Sequence, residues 1–432
     1  MEAPDSSTNQ LVDHLFRNEA GKLVATLTRI FGTIHIDLAE DIVQDTLITA
    51  LHHWSNGNIP ENPAAWITQV AKRKVLNELK RTKSSKNHLA NVLKHVEGSN
   101  HIEEVFLSEE IKDSQLRMIF TCCHPQLPVA SQMALTLKTL CGFGISEISK
   151  ALLTRETTIN KRLYRAKQKI RALEISFEVP SGKDLEKRLN SVCLALYLLF
   201  NEGYNSSHRR AVISKDLCLE AIRLTQLLVQ YFQDQPKLSA LLALMCLHAA
   251  RFEARTDHLG AIIIFEDQDR SLWNKELISN GMHYLTKASV GKQLTEYHLE
   301  AGIAAEHCLS KSFADTDWNS IYHQYEKLYQ LKQNPIVLLN LAIIKSQTES
   351  IESSLRALEK ISGNQQLKDY YLLPMTRGIL SLKSGHHTKA RDFFQEALKL
   401  TRSPQEIAFI KSKLKLCGDP INPGGAFSNR SE

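Results

Sequence analysis

The chain of 432 residues carries a formal net charge of +6 with 43% hydrophobic residues, which is too long for one core and predicts two or three domains. No run of about 18 apolar residues occurs, and the start MEAPDSSTNQ is polar and acidic where a secretory signal would be basic then apolar, so a cytoplasmic protein with no membrane association is expected. Its cysteines, Cys122, Cys123, Cys141, Cys193, Cys218, Cys246, Cys308 and Cys417, form no C-x-x-C pair, which argues against a disulfide framework and against zinc or redox chemistry.

Helical periodicity dominates and no convincing strand alternation is found, so the fold class is all-α. The first helical unit spans 10–81. In it, AEDIVQDTLITAL places Ala39, Ile42, Val43, Leu47, Ala50 and Leu51 on a stripe that reads as core. Its other face gathers Glu40, Asp41, Gln44 and Asp45 around an apolar Ile48, an odd neighbour for three carboxylates. The loop SNGNIPENP, Ser55 to Pro63, breaks the unit with Asn-Gly and two prolines. The helix that follows, NPAAWITQVAKRKVLNELKRTK, can turn Trp66, Ile67, Val70, Val75 and Leu79 inward and leave Lys72, Arg73, Asn77, Lys80 and Arg81 outside. An aromatic beside a basic helix suits unstacked single-stranded bases; a buried Trp under surface lysines is the plainer alternative.

Residues 82–108 are polar and weakly patterned, a linker with at most one short helix. A second helical unit spans 109–177, with Pro125 and Pro128 forcing a loop. It ends in GISEISKALLTRETTINKRLYRAKQKIR, where Ile145, Ile148 and Leu152 line one short helix and Ile159, Leu163 and Ala166 the next. That is a predicted helix-turn-helix, with Leu153 where such turns usually carry Gly. Its outward positions are Arg155, Thr158, Asn160, Lys161, Arg162, Arg165 and Lys169. Those near the helix start suit base edges, and Arg165 and Lys169 suit phosphates. The two basic segments, Lys72 to Lys86 and Arg155 to Arg171, read as two phosphate-tracking surfaces or as solvated helix faces.

The third region, 185–416, is a larger array of helices, and 417–432 is a Gly/Pro/Asn/Ser-rich tail. Gly378, Gly385, Ala390, Phe394 and Ala397 fall at the offsets of a tetratricopeptide repeat. NPIVLLNLAIIKSQTESIESSLRALEKI resembles a degenerate upstream copy, so a concave surface for a protein partner is expected, with plain helix packing as the alternative. FNEGY and EDQDRS supply Asn201, Glu202, Tyr204, Glu266, Asp267, Asp269 and Arg270. A candidate regulatory pocket is read from all of these but Glu266, with helix caps and ion pairs as the alternative. His298 and His307 are nine apart and do not make a paired-ligand face, and no Gly-rich phosphate loop or nucleophile elbow occurs, so neither metal nor cofactor is expected.

Taken together, DLAEDIVQDTLITALHHW, IPENPAAWITQVAKRKVLNELKR, SQLRMIFTCCHPQL and RLYRAKQKIR resemble, in order and separation, the two conserved regions of an extracytoplasmic-function RNA polymerase sigma factor. LYLLFNEGYNSS, LLALMCLHAARFEAR and FEDQDRSLWN resemble the subgroup with a long C-terminal tetratricopeptide-like extension. The resemblance implies a non-enzymatic initiation factor. By it, 10–81 is sigma region 2 and 109–177 sigma region 4, and the partners are core polymerase, duplex minus-35 DNA and melted minus-10 DNA. Asp41, Gln44, Asp45 and Ile48 would dock on the polymerase clamp helices, and the linker would thread toward the RNA exit region. Trp54, Asn56, Asn58, Asn62, Lys72, Arg73, Asn77, Lys80 and Arg81 would hold the minus-10 strand, and the helix-turn-helix residues the minus-35 duplex. The extension is expected to regulate in cis. Two rivals stand beside this: a helix-turn-helix regulator fused to a helical scaffold, and a helical enzyme or small-molecule binder using Glu202, Asp267, Asp269 and Arg270.

Overall fold

The structure, a computed structural model, describes residues 6–54, 59–84, 104–152, 154–204, 215–258, 261–291 and 293–418. Among these residues the chain forms α-helices joined by short 3-10 turns, with one isolated antiparallel bridge between Thr256 and Ile262 in place of any sheet. The all-α expectation holds. The chain separates into two compact units: residues 1–203 with 216–231, and residues 204–215 with 232–432. The division runs differently from the expected domain plan, because regions 2 and 4 and the first helices of the extension share one unit.

In the first unit, α1 (Ser6–Phe31), α2 (Ile36–Trp54) and α3 (Pro63–Ser84) pack together. The start of α3 is set by its sequence: the Asn62 side-chain oxygen accepts from Ala65 N at 3.0 Å and Pro63 takes the first helical position. Then come α4 (Ser108–Cys122), α5 (Val129–Thr139), α6 (Ile145–Ala151) and α7 (Glu156–Ala172). The helix α7 opens with Glu156 and closes with Lys169 and Arg171, complementing its dipole at both ends. Val105 and Phe106 are buried just ahead of α4, so the chain is anchored where the expected linker ends; most of that linker lies outside the described residues.

The long α1 touches both halves of this unit, because it packs on α4 and α5 as well as on α2 and α3. Two glycines permit that approach. A Cβ on Gly21, mid-helix, would run into the Leu140 carbonyl, and one on Gly142, whose φ is +68°, would lie 2.7 Å from the Arg17 carbonyl. Glycine in a helix interior costs about 0.5–1 kcal/mol relative to alanine, and here the helix-to-loop contact is what requires it.

Two helices of the extension complete the unit, α8 (Gly182–Tyr204, whose last residue falls in the second unit) and α9 (Lys215–Tyr231). Arg188 of α8 donates to the Phe120 carbonyl at 2.9 Å, and Ser191 donates to the Gln132 side chain at 3.2 Å. Arg223 of α9 donates to the Leu140 carbonyl at 3.3 Å, beside the Gly21 contact.

The second unit is built on α10 (Pro236–Ala249), apolar on all sides and enclosed by α11 (Lys275–Ala288) and α12 (Glu296–Leu309). The helices α13 (Trp318–Lys332), α14 (Pro335–Thr348), α15 (Ile351–Ile361), α16 (Leu372–Lys383), α17 (His387–Leu400) and α18 (Pro404–Lys415) then pack largely on their neighbours in sequence. Phe394 lies against Gly378, and Ala390 and Ala397 are fully buried, so α16 and α17 close at the small-residue positions read from the sequence.

Candidate polymerase and nucleic-acid interfaces

The helix α2 buries Ile36, Ala39, Ile42, Val43, Thr46, Ala50 and Trp54, a stripe at spacings of three and four. Asp41, Gln44, Asp45 and Ile48 lie together on the exposed side, Ile48 at 42%. Leu51, expected in the core, is 51% exposed. At about 100° per residue it sits seven residues beyond Gln44 on the same side, so this face carries two apolar side chains. Glu40 leaves the face altogether: its carboxylate accepts from Lys167 of α7 at 2.8 Å.

That ion pair belongs to a cluster joining α2 to the second helix of the helix-turn-helix. Lys167 also donates to Asp37 at 2.7 Å, and Arg171 reaches Asp37 and, at 2.9 Å, the Ile34 carbonyl. Burial pushes the Asp37 carboxyl up, but Lys167 and Arg171 outweigh it and hold it below its ordinary value. Burial alone would lower Lys167, and Glu40 and Asp37 reverse this and raise it. A second cluster centres on Arg17 of α1, which pairs with Glu147 of α6 and with Asp216 of α9 at 3.1 Å and lies 5.1 Å from the Phe143 ring centre. Arg29 of α1 pairs with Glu110 and, at 3.2 Å, with Asp113 of α4.

Around the start of α3 the placements differ from expectation at one point. Trp54, assigned to the minus-10 strand, is 6% exposed and packs between Phe16 and Trp66, with ring centres 5.3 and 5.6 Å away. It ends the core stripe of α2 four residues after Ala50, so it cannot offer a ring to a base in this arrangement. The half-buried Trp66, tilted against His53 with ring centres 5.2 Å apart, is the aromatic at that surface. Asn62 is exposed but caps α3, and Asn56 and Asn58 lie outside the described residues. Ile67, Ala71, Val75 and Leu79 form the inner stripe of α3, while Trp66 and Val70 are only half-buried. Arg73, Asn77, Lys80 and Arg81 are exposed, Arg81 pairing with Glu78 at 3.1 Å. Lys72 leans sideways over the Phe106 ring, 5.1 Å from its centre.

The predicted helix-turn-helix is formed by α6 and α7, with Ile148, Ile159, Leu163, Ala166 and Ile170 buried; Leu153 lies outside the described residues. Arg155, Asn160, Lys161, Arg165 and Lys169 are exposed, and Thr158 and Arg162 half-buried. Lys169 donates to the Gln126 carbonyl at 2.6 Å. The stripe opposite the buried one runs through Thr157, Lys161, Tyr164 and Gln168, with Tyr164 66% exposed. Counting from Lys161 by threes and fours would have included Thr157, Tyr164 and Gln168.

The residues read as a candidate regulatory pocket are divided between the two units. Asn201 and Glu202 belong to the first unit; Tyr204, Asp267, Asp269 and Arg270 belong to the second. In the second unit, Tyr204 packs on His248 and Phe252, and Arg255 lies over its ring at 3.7 Å. Asp269 caps a 3-10 turn by accepting from Ser271 N at 2.8 Å. Arg270 donates to the carbonyls of His307 and Ser310 at the end of α12 and stacks on Trp273, 4.6 Å from its centre. Asp267 lines a separate groove with Ile263, Ile264 and Phe409. Asp269 and Arg270 thus bond within their own unit. Among the described residues no cluster of His, Cys, Asp and Glu could hold a metal, and no helix is long and apolar enough to cross a membrane.

Residues 15–85 match the Sigma-70 region 2 family, residues 117–170 the Sigma-70 region 4 family, and residues 188–289 a family of unknown function (DUF6596). The chain is 33% identical over 384 residues to a Rhizobium meliloti (strain 1021) protein described as the uncharacterized protein R00370, covering 88% of this chain and 90% of that one. It is 27% identical over 167 residues to the RNA polymerase sigma factor NccH of Alcaligenes xylosoxydans xylosoxydans, covering 37% of this chain and 84% of NccH. A region 2 match followed by a region 4 match that holds a helix-turn-helix defines a transcription initiation factor. The chain belongs to the extracytoplasmic-function sigma factors that carry a C-terminal extension, non-enzymatic proteins whose partners are core RNA polymerase and promoter DNA.

Proposed function

We propose that the face of α2 made by Asp41, Gln44, Asp45 and Ile48, extended by Leu51, docks on the polymerase clamp. Arg73, Asn77, Lys80 and Arg81, with Lys72 and Asn62 beside them and Trp66 as the stacking ring, hold the melted minus-10 strand. The outward side of α7, with Lys161, Tyr164 and Arg165 at its centre and Arg155, Thr158, Asn160, Arg162 and Lys169 around them, reads the minus-35 duplex. Exposed apolar side chains framed by carboxylates suit a protein partner, and exposed cations beside an aromatic suit nucleic acid. Run-off transcription with bacterial core polymerase tests the docking face. The double variant Asp45→Arg, Ile48→Glu should lose specific transcripts, and undiminished transcription by it would sink the assignment.

The extension regulates this activity in cis by holding regions 2 and 4 closed. The supporting observation is the three-way junction where α1, the loop 140–143 and α9 meet through Gly21, Gly142, Arg17, Asp216 and Arg223. Minus-10 and minus-35 elements lie about 25 base pairs apart by position, or about 85 Å at 3.4 Å per pair. A compact body of about 220 residues has a radius of gyration of about 17 Å. Both elements therefore cannot be read until the two regions separate, and α9 bonds to both sides of the seam that must open. Gly21→Val tests this, because it improves the helix propensity of α1 while driving a side chain into the Leu140 carbonyl. Transcription by the full chain should rise; a fall, or no change with the variant folded, would refute closure as inhibition.

A further inference from the structure

We infer that a cavity at the junction of α1, α4 and α9 binds a small organic carboxylate, and that the bound ligand holds the closed arrangement together. This deepens the cis-regulation reading and rests on it. The cavity has a volume of about 430 Å³, within the range of about 300–1,000 Å³ usual for small-molecule sites. Each wall comes from a different segment: Lys22 from region 2, Ile111, Lys112 and Gln115 from the part of α4 that leads into region 4, and Arg223 and Leu227 from the extension.

Three features select the ligand. The lining includes three cations and no carboxylate. The carboxylates paired with those cations, Glu19, Glu109 and Glu220, each sit three residues earlier on the same helix, all at 2.8 Å, and none lines the cavity. An ammonium has three N–H groups and a guanidinium five, so each cation keeps donors for a second acceptor. Gln115 is the independent observation: it lines the cavity at 4% exposure, and its buried amide nitrogen has no hydrogen-bond partner among the described residues. Native structures rarely leave such a donor unpaired, and a ligand oxygen would satisfy it. Ile111 and Leu227 add apolar surface, which favours a carboxylate on a short hydrocarbon body over a bare inorganic anion.

A ligand shifts an equilibrium only by its differential affinity for the two states. This site loses a wall when regions 2 and 4 part, so its occupant favours closure and lowers transcription.

The test uses the full chain with adipate, benzoate and 3-phenylpropionate as probes and 3-phenylpropan-1-ol as the uncharged control, followed by calorimetry and thermal unfolding. At least one carboxylate should bind saturably, one per chain, and raise Tm, while the alcohol should not. Gln115→Leu, close in size, and Lys112→Gln, at the exposed rim, should each weaken that binding at least tenfold. No saturable binding by any of the three carboxylates would overturn the inference, as would binding equal in both variants, the mark of an adventitious additive only. A probe that binds as expected yet leaves transcription unchanged, with Gly21→Val also silent, would remove closure as the ligand's effect and retain the site. If Gly21→Val raises transcription but no probe binds, the site fails and cis regulation stands.

Discussion

The charged residues of α2 and α7 and those of the segment Glu266 to Arg270 look alike in sequence, yet the structure uses them in opposite ways. Asp41, Asp45, Lys161 and Arg165 stand exposed on ordered helices. Arg270 and Asp269 are taken up by backbone groups of their own unit, two carbonyls and one amide nitrogen. Charges left in water on a rigid face remain available to a partner, whereas charges bonded to a helix end or a turn stabilise the fold. The Asp37, Glu40, Lys167 and Arg171 cluster lies between these cases: its pairing joins two binding regions instead of completing either one.

The largest test of this contrast sets the α2 face against Asp269. Asp45→Arg with Ile48→Glu should lower run-off transcription by about 100-fold or more, since reversed and newly buried charge at an interface centre costs several kcal/mol. Asp269→Ala should leave it within about twofold. An equal loss from both would erase the distinction.

Arg270→Ala should destabilise the second unit by about 2–4 kcal/mol, because two carbonyl acceptors lose a charged donor and Trp273 loses its stacked cation. Denaturant unfolding of the full chain should show this as a shift in one transition, with minus-35 duplex binding unchanged. A loss of duplex binding would mean that the segment acts at the DNA.

Asp37→Asn should raise transcription by a few-fold, less than Gly21→Val, since a half-exposed pair contributes about 1 kcal/mol or less and steric overlap cannot be screened. Asp37 is held below 3.8 and Lys167 above 10.5. The stability from Asp37 is therefore present above its ordinary value and lost as pH falls through its lower folded value. That from Lys167 is present below its ordinary value and lost as pH rises through its higher folded one. Asp37 and Lys167 should thus make no pH-dependent contribution between about 5 and 9, and an activity change within that window that disappears in Asp37→Asn would contradict this.

A last test sets the second unit against acid. Burial, with Arg251, Arg255 and His307 nearby, lowers His248 to about 3, and burial with Arg251 and Arg270 lowers His307 to about 3. The unfolded chain takes up these protons near 6.5, so the second unit should lose stability as pH falls from 6.5 toward 3. Its Tm should decline over that interval, less steeply in His307→Gln. An unchanged slope would exclude His307 as a source.

Much of the α2 and α7 faces was legible because helical periodicity and charge are local properties. Leu51, expected in the core, falls outside the stripe drawn through Ala39, Val43 and Ala50, and Trp54, given a DNA role by the resemblance alone, falls on it. Glu40 could not be separated from Asp41 by spacing, because its partner Lys167 lies 127 residues away. The bonds of Asp269 and Arg270 are hidden from the sequence for a related reason, since carboxylates and arginines in a loop look the same whether they face a ligand or a helix end.

The sequence by itself determined an all-α chain, the order of its two sigma regions, and which helix faces carry exposed cations and carboxylates, because these follow from side-chain period and composition along single elements. Only the tertiary structure decided that α1 joins the two regions through Gly21 and Gly142, that Asp37 and Glu40 hold Lys167, that the extension contributes α9 to the same body, and that Gln115 is buried beside a cavity. Each depends on atoms brought within a few ångströms from segments distant in the chain, and such proximity is set by packing rather than by any local pattern.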